Sequence, residues 1–596
     1  MTEIAHSART GASAPNPTAS GSGRRYDTRR YRGAAGLNWY SCDPTLQFLM
    51  RAHLGDAGLE WAEPHLLRVG ALIGGPVAER AAETDRNPPR LERYDRWGHD
   101  VSRVVLPATF VESRSALVGA SFSSPSFEEA ARHAGVGTAP LGAAWNYLLD
   151  QAEIGMTCAL GTGGDMIVRL SEAFAPQAVK ERVRAIFAAG EASGEAAQML
   201  TERTGGSDLG ALETAAEPDG DRWRLNGVKW FVSNAGASAF VALARMPGGP
   251  DSVSGVHAFL VLRDRMDGTP NGVHVRRLKD KLGTRAVPSG EIELIDAEAW
   301  LLAPPPLGQD QTGERPASGL ARMMQLTNAS RMGVAMMGLG CARRALVEAL
   351  CYCRSREAFG KALIDHPLAQ RKLAEMIVEV EAVQAMVFDG YLGPRLRIGA
   401  PLIKLRAARL GVTAASDALE LHGGNGYIED WPVARILRDA QVNPVWDGPD
   451  NILCLDVRRA IGREHAHEPL LARISDALGA APGDDPATEE IVSGAVTDLT
   501  KAIDRWGSME GPIAEARLFP LAQYMADTYA AALLLEQSGI ERRLGSTAPG
   551  RKGLIARLYA RSRLAPPAPL RGIDGPAEDL DNFKLLCDGA LVDDRS

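Results

Sequence analysis

The stretch Leu421–Asp456, LHGGNGYIEDWPVARILRDAQVNPVWDGPDNILCLD, carries three glycines in a four-residue turn and, further on, an acid-glycine pair. In Gly423-Gly424-Asn425-Gly426 the small residues let the backbone approach a ligand closely and turn N–H groups toward an anion. His422, just before the turn, reads as a packing or hydrogen-bonding residue. Asp447-Gly448 follows Trp446 and leads into Asn451-Ile452-Leu453-Cys454-Leu455-Asp456. A glycine turn alone is a weak signal, so its meaning depends on its surroundings.

Working outward, the apolar pattern predicts three helices: Gly319 to about Arg356, a second from Pro367 with Leu373, Met376, Ile377, Val380, Val383 and Val387 on one face, and a third from near Pro401 to Leu421. Long helices joined by short loops predict a bundle over 306–464. Met323, Met324, Met332, Met336 and Met337 read as core filling. Over 198–305 the apolar period changes to two, predicting a small β-domain entered after Gln198 and left at Pro304-Pro305-Pro306. Asn226-Gly227 predicts a tight hairpin turn between Arg222–Leu225 and Val228–Val232, and further strands are expected at Phe240–Arg245, Val256–Arg263, His274–Arg277 and Glu291–Ile295. Residues 37–197 read as a first helical domain, punctuated at Asn87-Pro88-Pro89 and Pro107. The acidic PGDDP linker falls within 465–596, an additional helical C-terminal extension. Residues 1–36 read as a disordered basic tail with Arg24, Arg25, Arg29, Arg30 and Arg32. The expected fold class is mainly α with a small middle β-domain.

At 596 residues the chain exceeds one ordinary hydrophobic core. Its 45% apolar and 23% charged composition is that of a globular protein, and no apolar run of about 18 residues is present to span a bilayer. Seven cysteines, with Cys351 and Cys353 in a helical pattern, suit neither a disulfide framework nor a zinc site, so no metal is expected and the setting reads as cytoplasmic. The net charge of -8 gives no general affinity for nucleic acid.

The glycine turn, Arg438-Asp439 and the acid-glycine pair together closely resemble the signature of the acyl-CoA dehydrogenase superfamily. Three further motifs stand in family order. Leu200-Thr201-Glu202-Arg203-Thr204-Gly205-Gly206-Ser207-Asp208 is similar to the family's flavin loop, and the resemblance implies that Leu200, Thr201 and Gly206 lie by the isoalloxazine ring of FAD and Ser207 near its phosphates. Lys229-Trp230-Phe231-Val232-Ser233 is similar to a strand that sets an aromatic ring and a hydroxyl, here Phe231 and Ser233, against the flavin. Arg356-Glu357-Ala358-Phe359-Gly360 with Gln370 resembles the motif by which one subunit reaches its neighbour's FAD, which implies a homo-oligomer, a homotetramer by resemblance. The resemblance extends the cofactor positions to His422, Gly423, Gly424, Gly426, Trp446, Gly448 and Asn451. It implies a fold of helical domain, β-barrel-like domain and helical bundle, and an FAD-dependent oxidoreductase acting on the CH–CH bond of an acyl-CoA or related small molecule.

Within the superfamily the chain resembles the AidB-type, alkylation-response branch, through Asn87-Pro88-Pro89, Arg93-Tyr94-Asp95, Arg277-Leu278-Lys279-Asp280-Lys281-Leu282-Gly283, Trp446 and Asn451–Val457. Proteins of that branch bind FAD, bind DNA through their C-terminal portion and show at most weak dehydrogenase activity. From Ile461 onward acids outnumber bases, and the local cluster Arg542, Arg543, Arg551, Lys552, Arg557, Arg561 and Arg563 reads either as a solvated helix face or as a DNA contact. Where most dehydrogenases of the family place a catalytic glutamate, this chain has Asp447; at the alternative place, before an arginine, it has Ser330. Asp447 is thus the candidate base. Three readings stay open: a repositioned base for an acyl-CoA, a structural acid in a weak enzyme, or a base for another carbon acid, as in the nitroalkane oxidases of the same superfamily.

Overall fold

The computed structural model describes residues 31, 33–161, 164–188, 194–302, 319–481, 483, 485–545, 548–566, 573 and 575–595. The rest of the basic tail, the triple-proline exit with the polar segment after it, and the side chains of Met323 and Met324 lie outside the described residues.

The first third is helical: α1 (Pro44–Leu72), α2 (Ala78–Arg86), α3 (Ala108–Gly119), α4 (Pro125–His133), α5 (Thr138–Ala152), α6 (Ile154–Gly161), α7 (Gly164–Phe174) and α8 (Gln177–Phe187). Helix α1 starts where Asp43 accepts from the N–H of Leu46 and Pro44 occupies the first turn. An antiparallel hairpin interrupts the helices, β1 (Arg90–Tyr94) with β2 (Asp100–Val105). The hairpin falls where the largely helical reading placed only a punctuation: Pro88-Pro89 stops α2, and the Tyr94-to-Asp100 segment turns through Gly98 at φ +86°. The tail also ends earlier than residue 36. The N–H of Ala34 donates to Glu348, and Ala34 is buried.

The middle strands are β3 (Ala196–Met199), β4 (Ala215–Asp219), β5 (Arg222–Val232), β6 (Ala239–Arg245), β7 (Val256–Leu262), β8 (Val273–Leu278) and β9 (Gly290–Leu301). The pairings β4–β5, β5–β9, β9–β7, β7–β6 and β6–β4 return on themselves, so the sheet closes as a barrel. The expected hairpin at Asn226-Gly227 is corrected. Arg222–Val232 is one strand, its register shifts there, and the turn lies at Gly220, between β4 and β5. The Asn226 amide pairs across with Asp296, donating to its carboxylate and accepting from its N–H at 2.9 Å, while Gly227 lets the backbone press on Thr214. An Asn-Gly pair served a bulge rather than a turn.

Next come α9 (Gly319–Ser355), the short hairpin β10 (Glu357–Ala358) and β11 (Lys361–Ala362), α10 (Pro367–Leu392), α11 (Gly399–His422), α12 (Pro432–Ala440) and α13 (Asp450–Glu464). Helices α9 and α11 touch backbone to backbone: a Cβ on Gly338 would collide with the Ala407 carbonyl, and one on Gly411 would lie 2.8 Å from Gly338 O. About two turns before Gly338, α9 presents Ser330 and Arg331, and about one turn before Ala407, α11 presents Lys404. The extension holds α14 (His467–Gly479), α15 (Pro486–Gly507), α16 (Gly511–Ala516), α17 (Leu518–Leu544) and α18 (Arg551–Arg563). Its side chains Leu521, Met525, Leu534, Ile555 and Tyr559 belong to the same core as Met336, Met376 and Leu405 of the bundle. No helix among the described residues is long and apolar enough to cross a membrane.

Candidate active site

Asp447 sits between α12 and α13 in a left-handed backbone conformation, φ +53°, followed by Gly448 at φ +100°. Aspartate tolerates that region better than most residues, at a cost of order 1–3 kcal/mol. Two cations hold the turn. Arg331 Nε donates to the Asp447 carbonyl at 3.1 Å, and Lys404 Nζ donates to the Gly448 carbonyl at 2.7 Å. Arg331 is itself fixed by Asp456, 2.6 Å away, which also pairs with Arg397. The Asp447 carboxylate accepts from the hydroxyl of Ser330. Asp447 and Ser330, the two positions at which the resemblance leads one to look for a catalytic carboxylate, therefore touch each other, one as acid and the other as its hydrogen-bond donor.

Burial pushes the Asp447 carboxyl above the usual range, while the Ser330 hydroxyl, Lys404 and Arg331 work against that. Lys404 is pushed down to about 8, by burial first, with Asp447 and Asp450 opposing. Because Ser330 and Lys404 both favour the ionised carboxylate, Ser330→Ala and Lys404→Met should each move the rising limb of the pH–rate profile for flavin reduction to higher pH. Stopped-flow reduction across pH checks this, and an unmoved limb would remove both residues from the base's surroundings. Sequence reasoning missed Lys404, although a lysine amid the apolar run Leu402-Ile403-Lys404-Leu405 signals a buried cation.

The barrel positions read from sequence have their own supports. Glu202 is buried with Lys229 Nζ at 2.6 Å, and Lys229 also donates to Leu243 O. The N–H of Trp230 donates to Thr201 O at 2.9 Å, so the pair pins the Thr201 loop to β5. Burial takes Lys229 down to about 8; burial would raise Glu202, but Lys229 holds it below the usual carboxylate range. The register of β5 shifts between Lys229 and Val232, which turns both Trp230 and Phe231 outward, Phe231 to 55% exposure. Lys279 Nζ stands 3.3 Å from the Trp230 ring centroid and 4.9 Å from that of Phe231. Leu200, Thr201 and Ser233 are half-buried, and Gly206 and Ser207 are exposed. Lys229→Met should cost about 3 kcal/mol in urea unfolding, because Glu202 is left buried without its cation, and Glu202→Gln added to it should recover part of the loss.

The glycine turn follows α11 directly. Gly423 is at φ +59° and its N–H donates to Glu420 O as the cap of α11, while a Cβ on Gly423 or Gly424 would meet nothing within 4 Å, so the backbone is open to close approach there. Gly426 differs: a Cβ there would collide with the Leu419 carbonyl, so this glycine serves packing. His422 Nδ1 donates to Ala418 O at 2.7 Å, its ring stacks on Tyr352 at 4.2 Å, and burial lowers its pKa. The buried His422 Nε2 and Trp446 Nε1 have no hydrogen-bond partner among the described residues. Orphaned ring nitrogens at His422 and Trp446 and an exposed aromatic strand at Phe231 suit a ligand with flat aromatic and polar parts, as FAD is.

Phe359 and Gly360 form the β10–β11 turn at φ +52° and +84°, and Phe359 is 98% exposed. Arg356 and Asn451 are exposed and Gln370 is half-buried.

Three family models match the chain: the adaptive response protein AidB N-terminal domain over 32–186, the acyl-CoA dehydrogenase middle domain over 197–297 and the acyl-CoA dehydrogenase C-terminal domain over 317–462. The chain belongs to the acyl-CoA dehydrogenase family and carries an AidB-like N-terminal domain. It is 27% identical to acyl-CoA dehydrogenase family member 11 of Caenorhabditis elegans, covering 84% of each chain. It is 29% identical to the putative acyl-CoA dehydrogenase AidB of Escherichia coli K12, covering 76% of this chain and 83% of that one. The solved structure of C. elegans ACDH-11 in complex with C11-CoA superposes with a TM-score of 0.78 at 24% identity, over 94% and 95% of the two chains. The protein is an FAD-dependent oxidoreductase of the type that acts on CH–CH bonds.

Proposed function

We propose that the chain oxidises an acyl-CoA thioester at Cα–Cβ, with Asp447 taking the α-proton. The observation that carries this reading is the prepared turn: consecutive carbonyls gripped by Arg331 and Lys404, and a buried carboxylate aimed at Ser330. The chemistry that FAD supplies when bound is acceptance of the β-hydride. Thr201, Ser207, Phe231 and Ser233 would hold the ring side and its phosphates, and the open surface at Gly423-Gly424 would let another part of the cofactor come close to the backbone. Aspartate is shorter than glutamate by about 1.5 Å, so substrate must approach the α11 side of the cleft more closely than a glutamate would require.

We further read the assembly as a homotetramer, since the bare aromatic tip at Phe359 has the geometry of a contact made to another subunit. A cytoplasmic setting agrees with seven free thiols. A DNA-associated role in the alkylation response is the competing reading, favoured by the N-terminal domain match. Against it, Arg551 and Lys552 are buried on Glu381, Arg557 and Arg561 both pair with Glu578, and Arg563 pairs with Glu379, so much of the basic cluster is already neutralised. Anaerobic titration of flavin-loaded protein with short, branched and long acyl-CoAs tests the first reading. Bleaching of the visible band by one class is the expected result; bleaching by nitroalkanes alone would replace the thioester with another carbon acid.

A further inference from the structure

We propose that Tyr31 with Gly33–Cys42, and Gly589–Arg595 from the other end of the chain, form a clasp that holds the glycine turn in its FAD-binding shape, with Tyr31 as the positioning residue. The inference rests on the FAD reading of that turn.

The turn is anchored to α11 at both ends, by the Gly423 N–H on Glu420 O and by Gly426 against the Leu419 carbonyl, and has open space at Gly423 and Gly424. Further restraints run through Tyr352 on α9, whose hydroxyl accepts from the Asn425 amide at 3.1 Å and whose ring stacks on His422. Tyr352 is in turn wedged by Tyr31, edge-on at 5.4 Å between centroids, and Tyr31 rests on Trp431 at 4.9 Å. Tyr31 thus fills the space between α9 and the residues where the chain leaves the turn for α12. Its hydroxyl donates to Glu348 at 3.4 Å, and the same carboxylate accepts from the N–H of Ala34 and from Arg344.

The C-terminal segment closes over this one. Arg595 Nη1 donates to the carbonyls of Gly33 at 2.8 Å and Ala35 at 3.1 Å, Val592 N donates to Cys42 O, and Ser41 bonds Asp594. Arg354, two residues beyond Tyr352 on α9, donates to Leu591 O at 3.1 Å. Both segments therefore act on the C-terminal half of the helix that supports the turn. Loss of the Tyr31 ring frees Tyr352 to rotate away from His422 and Asn425, and loss of Arg595 releases Gly33 and with it Tyr31.

The test uses full-length, FAD-loaded wild type, Tyr31→Phe, Tyr31→Ala and Arg595→Ala. FAD release after dilution is followed by free-flavin fluorescence, and urea unfolding is measured on the same samples. Release about tenfold faster in Tyr31→Ala and in Arg595→Ala, with Tyr31→Phe close to wild type and similar unfolding midpoints, is the expected result. If Tyr31→Ala does not fold, Arg595→Ala carries the comparison. Unchanged release in the variants overturns the clasp alone, as does Tyr31→Phe releasing as fast as Tyr31→Ala. A wild type that takes up no FAD overturns the cofactor reading and the clasp with it.

Discussion

Asp447→Asn should leave the flavin bound and slow its reduction by acyl-CoA about 1,000-fold, within the range that a positioned general base contributes. The substitution keeps shape and hydrogen bonding: an asparagine oxygen still accepts from Ser330, and the backbone grips from Arg331 and Lys404 do not involve the side chain. The loss then reports proton abstraction and not collapse of the turn. Asp447→Glu separates two of the remaining readings. Because both carbonyls of the turn are fixed, the additional methylene cannot be absorbed by backbone movement, and the carboxylate overshoots by about 1.5 Å. In a site adapted to aspartate, reduction slows on the order of 100-fold. In a site eroded from a glutamate enzyme, it accelerates. Rapid-reaction reduction of both variants decides, and turnover undiminished in Asp447→Asn would remove Asp447 from the chemistry altogether.

The helices around this residue were legible because their signals are local. Pro367 at the first turn, the apolar stripe on α10 and the glycine after His422 locate α10 and α11 from sequence alone. Strands β5 to β9 were legible for the same reason, save where Asn226-Gly227 mimicked a turn: whether such a pair reverses the chain or bulges it depends on a partner strand, Asp296 of β9, lying 70 residues further along the sequence. Strands β3 and β4, Ala-Ala-Gln-Met and Ala-Ala-Glu-Pro-Asp, carry no large apolar alternation and were not read. The hairpin at Arg90–Val105 is short and largely polar, so its periodicity is slight. At the site, Asp447, Thr201 and the glycines were read by motif. The partners that give them chemical character were not. Ser330 and Lys404 meet Asp447 from two helices whose approach depends on Gly338 and Gly411, and a contact between distant glycines leaves no periodic trace in sequence. The basic cluster of the extension misleads in the opposite direction, because charge is visible in sequence while its neutralisation by Glu379, Glu381 and Glu578 is a fact of packing.

That neutralisation sets the largest stability effect expected in the chain. Glu381 on α10 lies buried between Arg551 and Lys552 of α18, with Lys552 Nζ at 2.8 Å. Burial works to raise its carboxyl, but the two cations hold it down at about 2. Glu381→Gln leaves both cations buried and unpaired, and the expected cost near pH 7 is about 5 kcal/mol. Since the folded-state pKa lies below the unfolded one, the stabilisation from Glu381 is fully present above the ordinary carboxylate range, near 4.5, and is lost as pH falls toward about 2. Urea unfolding of wild type and Glu381→Gln should therefore differ most at pH 7 and draw together as pH falls through 4.5 toward about 2. A gap that does not narrow over that window would mean that shape, not charge, is what Glu381 contributes. The same triad decides how DNA binding must be tested. Reversing Arg551 and Lys552 would set new acids against Glu381 in the core and unfold α18 from α10, so lost retention on DNA would say nothing about a binding surface. Exposed Arg542 and Arg543 can be changed without touching that core. Salt-dependent retention that falls on Arg542→Ser/Arg543→Ser would support a nucleic-acid face; retention unaltered by them, or absent in the wild type, would leave the flavin chemistry at Asp447 as the working function.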